Sequence, residues 1–233
     1  MNIQILQLLE GAREATGLTV IIDVFRAFST ACYAFNKGTK KIIPVDNIEK
    51  AYQLKKENPE YLLIGERNEM KPHGFDFGNS PTHLLNARLN GKTIVHTTSS
   101  GTQGIAAADR ADEIITGSFV NAGAVVRYIR QAEPETVSLV CMGYACSFPV
   151  DEDTLCAEYI RNELTGQPND FNKMTAIIRK GSGKRFFEPE KQEWAPSSDF
   201  DLCMKLNIFN FILKVRKECS PGFLQKIPVN AVT

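Results

Sequence analysis

The chain has 233 residues, enough for one large α/β domain whose core needs no disulfide support. Lys plus Arg and Asp plus Glu each total 27, so the formal net charge is zero and global charge gives no case for a nucleic-acid or membrane partner. No stretch is apolar for long enough to cross a bilayer, and the opening residues lack the basic start of a secretion signal.

Six cysteines, Cys32, Cys141, Cys146, Cys156, Cys203 and Cys219, are scattered without a CxxC pair or a zinc-type Cys/His spacing. They are expected to be reduced, mostly buried thiols, which places the protein in the cytoplasm.

Apolar runs alternate with helical patterns along most of the chain. Residues 3–8 read as a strand. The run LTVIIDV at 18–24 is the clearest strand, because a continuous β-branched stretch suits a strand covered on both faces. A helix over 29–37 ends at Gly38. A strand at 41–45 and a helix at 48–57 follow, the latter stopped by Asn58 and Pro59. Then come a strand at 61–64 and a long polar stretch, 65–80. Ser80 and Pro81 mark the start of a helix running to about Leu89. Strands at 92–97, 113–116 and 136–142 alternate with helices at 102–109, 121–131 and 153–164. The segment 181–198 reads as loop and 199–217 as a helix broken near Asn207. The tail, 223–229, reads as an edge strand. The alternation predicts a mainly parallel sheet with helices on both faces. A single domain over 1–233 with a C-terminal elaboration from about residue 170 is expected.

In open α/β sheets, ligands bind at the carboxyl ends of the strands, so the residues just after each strand are the candidates. Asp23 ends an apolar run, where a carboxylate is costly unless paired or bound to metal. Arg26 follows it and can pair with it or grip an anion with two donors. Ser29 and Thr30 can cap the next helix. After the fourth strand come Glu66, Arg67, Lys71, His73, Asp76 and Asn79, in a loop long enough to suggest function. After the fifth, Thr97, Thr98, Ser99, Ser100, Gly101 and Thr102 lead into a helix. Such a turn offers backbone N–H groups and hydroxyls to a phosphate. Asp151 suits the dipole of its helix, whereas Glu152 and Asp153 stay open as metal ligands. A loop KGSGKR at 180–185 is either a solvated connection or a cover for an anion. Carboxylates, arginines and a hydroxyl-rich helix start on one rim make a kit for phosphoryl transfer with Mg²⁺.

The blocks TVIIDVFRAFSTACYAFNKG, LIGERNEMKPHGFDFGNSP, TTSSGTQGI and EDTLCAEYI, with DLCMKLNIFNFILKV near the end, resemble the 2-phosphosulfolactate phosphatase family, also called ComB-like. The resemblance implies a three-layer α/β/α sandwich with a mainly parallel or mixed sheet. It also implies Mg²⁺-dependent removal of phosphate from 2-phospho-3-sulfolactate, a step of coenzyme M biosynthesis. Carried over by position, Asp23, Arg26, Glu66, Arg67, Asp76, Asn79, Ser100, Gly101 and Thr102 would be active-site residues. On this reading Asp23 and Glu66 hold Mg²⁺. Arg26, with the turn of Ser99, Ser100, Gly101 and Thr102, holds the phosphoryl oxygens. Arg67 or Lys71 meets a second anion of the substrate. Asp23 is also a candidate nucleophile. It differs from the haloacid-dehalogenase phosphatases, which need a second Asp where this chain has Phe25. The expected partners are a small anionic phosphoester and further copies of the chain. The alternative is a non-catalytic small-anion-binding protein that keeps the fold.

Overall fold

The computed structural model describes residues 1–218 and 220–230; Cys219 lies outside them. The other five cysteines are free thiols, and all but Cys146 are buried. No helix among the described residues is long and apolar enough to cross a membrane.

The chain begins with β1 (Asn2–Gln7), α1 (Leu8–Glu14), β2 (Gly17–Ile22) and α2 (Ala27–Asn36). It continues through β3 (Lys41–Pro44), α3 (Ile48–Glu57), β4 (Leu62–Gly65), a short β5 (Phe77–Gly78) and α4 (Pro81–Leu84). Next come β6 (Thr93–Thr97), α5 (Gly101–Ala107), β7 (Ala111–Gly117), α6 (Ala122–Ala132) and β8 (Thr136–Cys141). The last part holds α7 (Asp151–Thr165), α8 (Phe171–Lys180), α9 (Ser197–Cys203), β9 (Phe211–Arg216) and β10 (Phe223–Pro228).

Local signals account for many boundaries. The Asn47 side chain accepts from the backbone N–H of Glu49 and Lys50 and so caps α3. Ser80 caps α4 with Pro81 in its first turn, and Gly166 ends α7 at φ 71°. The helix expected to reach Leu89 is a single turn that stops at Leu84. Two helices have no counterpart in the sequence reading: α1, which follows β1 without a loop, and α8, capped by Asp170.

The ten strands among the described residues form one sheet, in the order β1-β8-β2-β7-β9-β10-β3-β6-β4-β5. Pairs are parallel within β1-β8-β2-β7 and within β3-β6-β4-β5. The hairpin β9–β10 joins these halves through antiparallel pairs on both sides. The sheet is thus mixed and mostly parallel, with helices on both faces, as expected. Three antiparallel steps in a row make the two halves run in opposite senses along the ladder. The junctions are short, one residue pair for β10 with β3 and two for β7 with β9.

Two expectations fail at the C-terminus. Residues 211–216 form a strand, not the second half of a helix, and β10 lies inside the sheet, not at its edge. Pairing with β7 and β10 overrides the helix read over 199–217, because strand preference depends on context more than on local sequence.

Burial alternates as a two-faced sheet requires. Leu18, Val20 and Ile22 of β2 pack with Val125, Val126 and Ile129 of α6, Ile160 of α7 and Ile178 of α8. Ile21 faces the other way, towards Ala12 of α1, Phe28 and Cys32 of α2, and Ile105 of α5. In the second half, Ile43, Leu63 and Val95 pack with Ala51 of α3.

Candidate active site

The carboxyl ends of β2, β4, β6 and β8 meet. Asp23 follows β2 and is buried; its Oδ1 accepts from Ala27 N at 3.0 Å and its Oδ2 from Gly101 N at 2.8 Å. It therefore ties the starts of α2 and α5 together. A Cβ at Gly101 would meet Asp23 Oδ2 at 2.9 Å and Ala27 Cβ at 2.8 Å, so only glycine allows this approach.

Glu66 follows β4 and is likewise buried. Its Oε1 accepts from Ser99 N at 2.6 Å; its Oε2 accepts from Ser99 Oγ at 3.1 Å and Glu69 N at 3.0 Å. Ser100 Oγ donates to Gly143 O at 2.8 Å, which joins the β6 and β8 ends. Asp153, buried at the start of α7, clamps the same region by accepting from Val24 N and Gly143 N, both at 2.9 Å.

The hydroxyl-rich turn is thus not an open anion cradle here. The N–H groups of Ser99 and Gly101 already face Glu66 and Asp23. Thr102 Oγ1 is turned inward, accepting from Thr98 N at 2.9 Å and donating to Thr98 O at 3.1 Å. Ser29 Oγ likewise donates to Val24 O at 2.8 Å.

A cleft opens over these strand ends. Asp23, Arg26, Glu66, Asn79, Ser99 and Ser100 line it, all six expected from the sequence. Arg185, from the loop read as either a solvated connection or a cover for an anion, also lines it, as do Glu69 and Tyr144, which the sequence reading did not select. Arg185 lies in the loop KGSGKR; Glu69 follows Glu66 in a tight turn where Asn68 (φ 53°) and Glu69 (φ 67°) are left-handed. Nothing in the spacing marked Tyr144.

Arg67, Lys71 and Asp76 are not part of the cleft wall. Arg67 donates from Nη1 to Glu66 O at 2.7 Å and from Nη2 to Thr97 Oγ1 at 2.8 Å. Lys71 is exposed and lines a neighbouring cavity with Trp194. Asp76 accepts from Leu63 N at 2.8 Å and pairs with Lys55, fixing the loop to β4. Asn79 Oδ1 lies 3.2 Å from His96 Nε2, and burial pushes His96 down to about 4, so that ring is neutral at pH 7.

Arg26 pairs with Asp199 and not with Asp23. Its Nη1 lies 2.7 Å from Asp199 Oδ2 and 2.6 Å from Trp194 O. Asp199 also accepts from Ser80 Oγ at 2.8 Å and Thr82 N at 2.9 Å. Asp199→Ala would leave Arg26 charged and unpaired in the interior. A loss of about 3–5 kcal/mol is expected, the scale for breaking one side of a buried pair. Urea unfolding measures it; a midpoint equal to wild type would show the pair to be dispensable.

Burial pushes Asp23 up to about 6, with help from the charges of Glu66 and Glu152 and against its two backbone hydrogen bonds. Burial raises Glu152 as well, although Arg185 and Ser182 oppose it. Asp153 is raised by burial and by its acidic neighbours Glu152 and Asp23. The cleft therefore concentrates carboxylates with too few cations to balance them. Among the described residues no three His, Cys, Asp or Glu side chains converge into a ready metal cluster. Mg²⁺ does not need one. It takes one or two carboxylates and completes its shell with water and phosphate oxygens. Asp23 and Glu66 fit that requirement: both are oxygen donors, buried on the cleft wall, held by hydrogen bonds, and mutually repelling.

These features define an α/β protein with an acidic, arginine-bearing cleft at its strand ends. The family model described as 2-phosphosulpholactate phosphatase matches residues 3–218, so the chain belongs to that family of phosphomonoesterases. A protein of Caldanaerobacter subterraneus named probable 2-phosphosulfolactate phosphatase is 32% identical over 211 residues, covering 84% of this chain and 87% of the relative. One so named from Bacillus subtilis is 31% identical over 216 residues, covering 90% and 92%. One from Thermotoga petrophila is 44% identical over 149 residues, covering 62% and 63%.

Proposed function

We propose that the protein hydrolyses 2-phospho-3-sulfolactate, or a related 2-phosphohydroxy acid, with Mg²⁺ held by Asp23 and Glu66. The observation that carries this reading is the buried, repelling pair Asp23 and Glu66 on the wall of an acidic cleft. The names of the relatives supply the substrate class. When bound, Mg²⁺ would polarise the phosphoryl group and screen it from the carboxylates. The chain's own residues do the rest. Ser99 and Glu69 orient the Glu66 carboxylate, and the N–H groups of Ala27 and Gly101 orient Asp23. Arg26, locked by Asp199, lines the cleft as a fixed cation for phosphoryl oxygens. Such preset positions cost no reorganisation at the moment of reaction.

The substrate class is tested with a matched pair, phospholactate against isopropyl phosphate. The two differ in one group, a carboxylate in the first where the second has a methyl. Binding energy at that remote anion can orient the reacting phosphate, so it should appear in kcat/KM. Phospholactate is expected to be favoured by ~10-fold or more, the discrimination of one good charged contact. Equal kcat/KM would reduce the protein to a general phosphomonoesterase.

A further inference from the structure

The cleft has two guanidinium groups, and they differ in what they have left to offer. Arg26 spends Nη1 on two partners and turns Nη2 to Glu69 O at 3.3 Å. Arg185 comes from the C-terminal part of the chain, in the turn Ser182–Phe187. Its Nε lies 3.3 Å from Glu69 Oε1. Its Nη2 lies 3.2 Å from Phe25 O and 3.6 Å from Glu152 Oε1. Its Nη1 has no hydrogen-bond partner among the described residues.

The guanidinium is nonetheless held in place. It lies 5.9 Å from the Phe25 ring centroid, 5.3 Å from that of Phe186 and 5.2 Å from that of Tyr144. Two carboxylates flank one edge, and three rings stand around the group. The Tyr144 ring is itself stacked on Phe148, and its hydroxyl makes no hydrogen bond among the described residues. Local charge is balanced, since Arg185 and Lys191 face Glu69 and Glu152. An added anion at this wall meets no net negative field, unlike one beside Asp23 and Glu66.

The geometry points to Arg185, assisted by the Tyr144 hydroxyl, as the subsite that reads the second anion of the substrate, a carboxylate or sulfonate next to the phosphoester. This rests on the substrate class proposed above and assigns its specificity to residues outside the family blocks recognised in the sequence. Arg67 and Lys71 do not fill the role. Arg67 is spent on Glu66 O and Thr97, and Lys71 lines the neighbouring cavity. A half-buried charged fork on the cleft wall, with Nη1 unspent and the ordered Tyr144 ring beside it, suits the flat or trigonal oxygens of such a group.

The test uses the full chain and reads a ratio: kcat/KM for phospholactate divided by kcat/KM for isopropyl phosphate. In Arg185→Gln the ratio should fall by ~10-fold or more, mainly through the KM for phospholactate. Tyr144→Phe, which removes one oxygen and keeps the ring stack, should lower the same ratio by about 3-fold, the scale of one weaker hydrogen bond. It provides the reading if Arg185→Gln does not fold, as judged by thermal unfolding. A preference that survives in both folded variants overturns the assignment and leaves the substrate class standing. A wild-type protein that treats the two compounds equally overturns the second-anion reading as a whole.

Discussion

Stripping divalent metal with EDTA should abolish phosphate release, and adding Mg²⁺ should restore it. The expectation follows from the charge of the cleft. Asp23, Glu66 and Glu69 line it, and Glu152 stands close enough to raise Asp23. Arg26 is paired with Asp199, and Arg185 with Lys191 balances Glu69 and Glu152, so Asp23 and Glu66 keep no ion-pair partner among the described residues. A phosphomonoester dianion entering this field is repelled unless a cation lies between. A bound metal supplies several kcal/mol of charge stabilisation in such reactions, so a loss of ~10³-fold or more is expected. Phosphate release from phospholactate in a metal-stripped sample, before and after Mg²⁺ addition, measures it. Undiminished turnover in the stripped sample would end the metal assignment. Recovery with Mg²⁺ should also raise the thermal midpoint, since a ligand that binds only the folded state stabilises it.

Asp23→Asn should cut turnover by at least ~100-fold while the protein stays folded. As metal ligand or as nucleophile, Asp23 acts through its charge in the transition state, and losses of this size follow removal of such a group. The effect on stability is a balance. Asn keeps the shape but turns an NH₂ towards either Ala27 N or Gly101 N. One donor is then left unpaired, at about 1–3 kcal/mol. In return the variant is relieved of a buried charge that its surroundings already resist, as the upward shift to about 6 shows. The two nearly offset, so the melting temperature should move by only a few degrees. Unfolding of the variant would make Asp23 structural. A folded variant with normal turnover would remove it from the site. Loss of activity together with loss of the Mg²⁺-induced rise in melting temperature would identify it as a ligand, whereas loss of activity alone would point to the nucleophile.

Much of this molecule is legible in the chain. The β-branched run ending at Asp23 announced a covered central strand, and β2 is indeed flanked by β7 and β8. The rule that ligands gather beyond strand ends selected Asp23, Glu66, Asn79, Ser99 and Ser100, and these meet on one wall. Both signals are local. A strand's hydrophobic pattern reports its burial, and the residues after it inherit its position.

What the chain could not announce is how distant segments pair. Asp199 and Arg26 are 173 positions apart, and neither carries a mark of the other. The turn of Ser99, Ser100 and Gly101 reads as a site for a ligand's anion, yet its N–H groups meet the chain's own Glu66 and Asp23. The stretch 199–217 shows helical spacing, but two neighbouring strands have unpaired backbone edges there. Satisfying those edges outweighs a weak local preference, so residues 211–216 become β9. Arg185 reaches the cleft for a related reason: Phe186 packs into the core that β2 and α6 share, and its neighbour is carried to the strand ends. The sequence by itself determined the class of fold, the family and the acidic strand ends. Only tertiary structure decided which cations face those acids, because charge pairing and sheet pairing depend on distance in space, which local pattern does not encode.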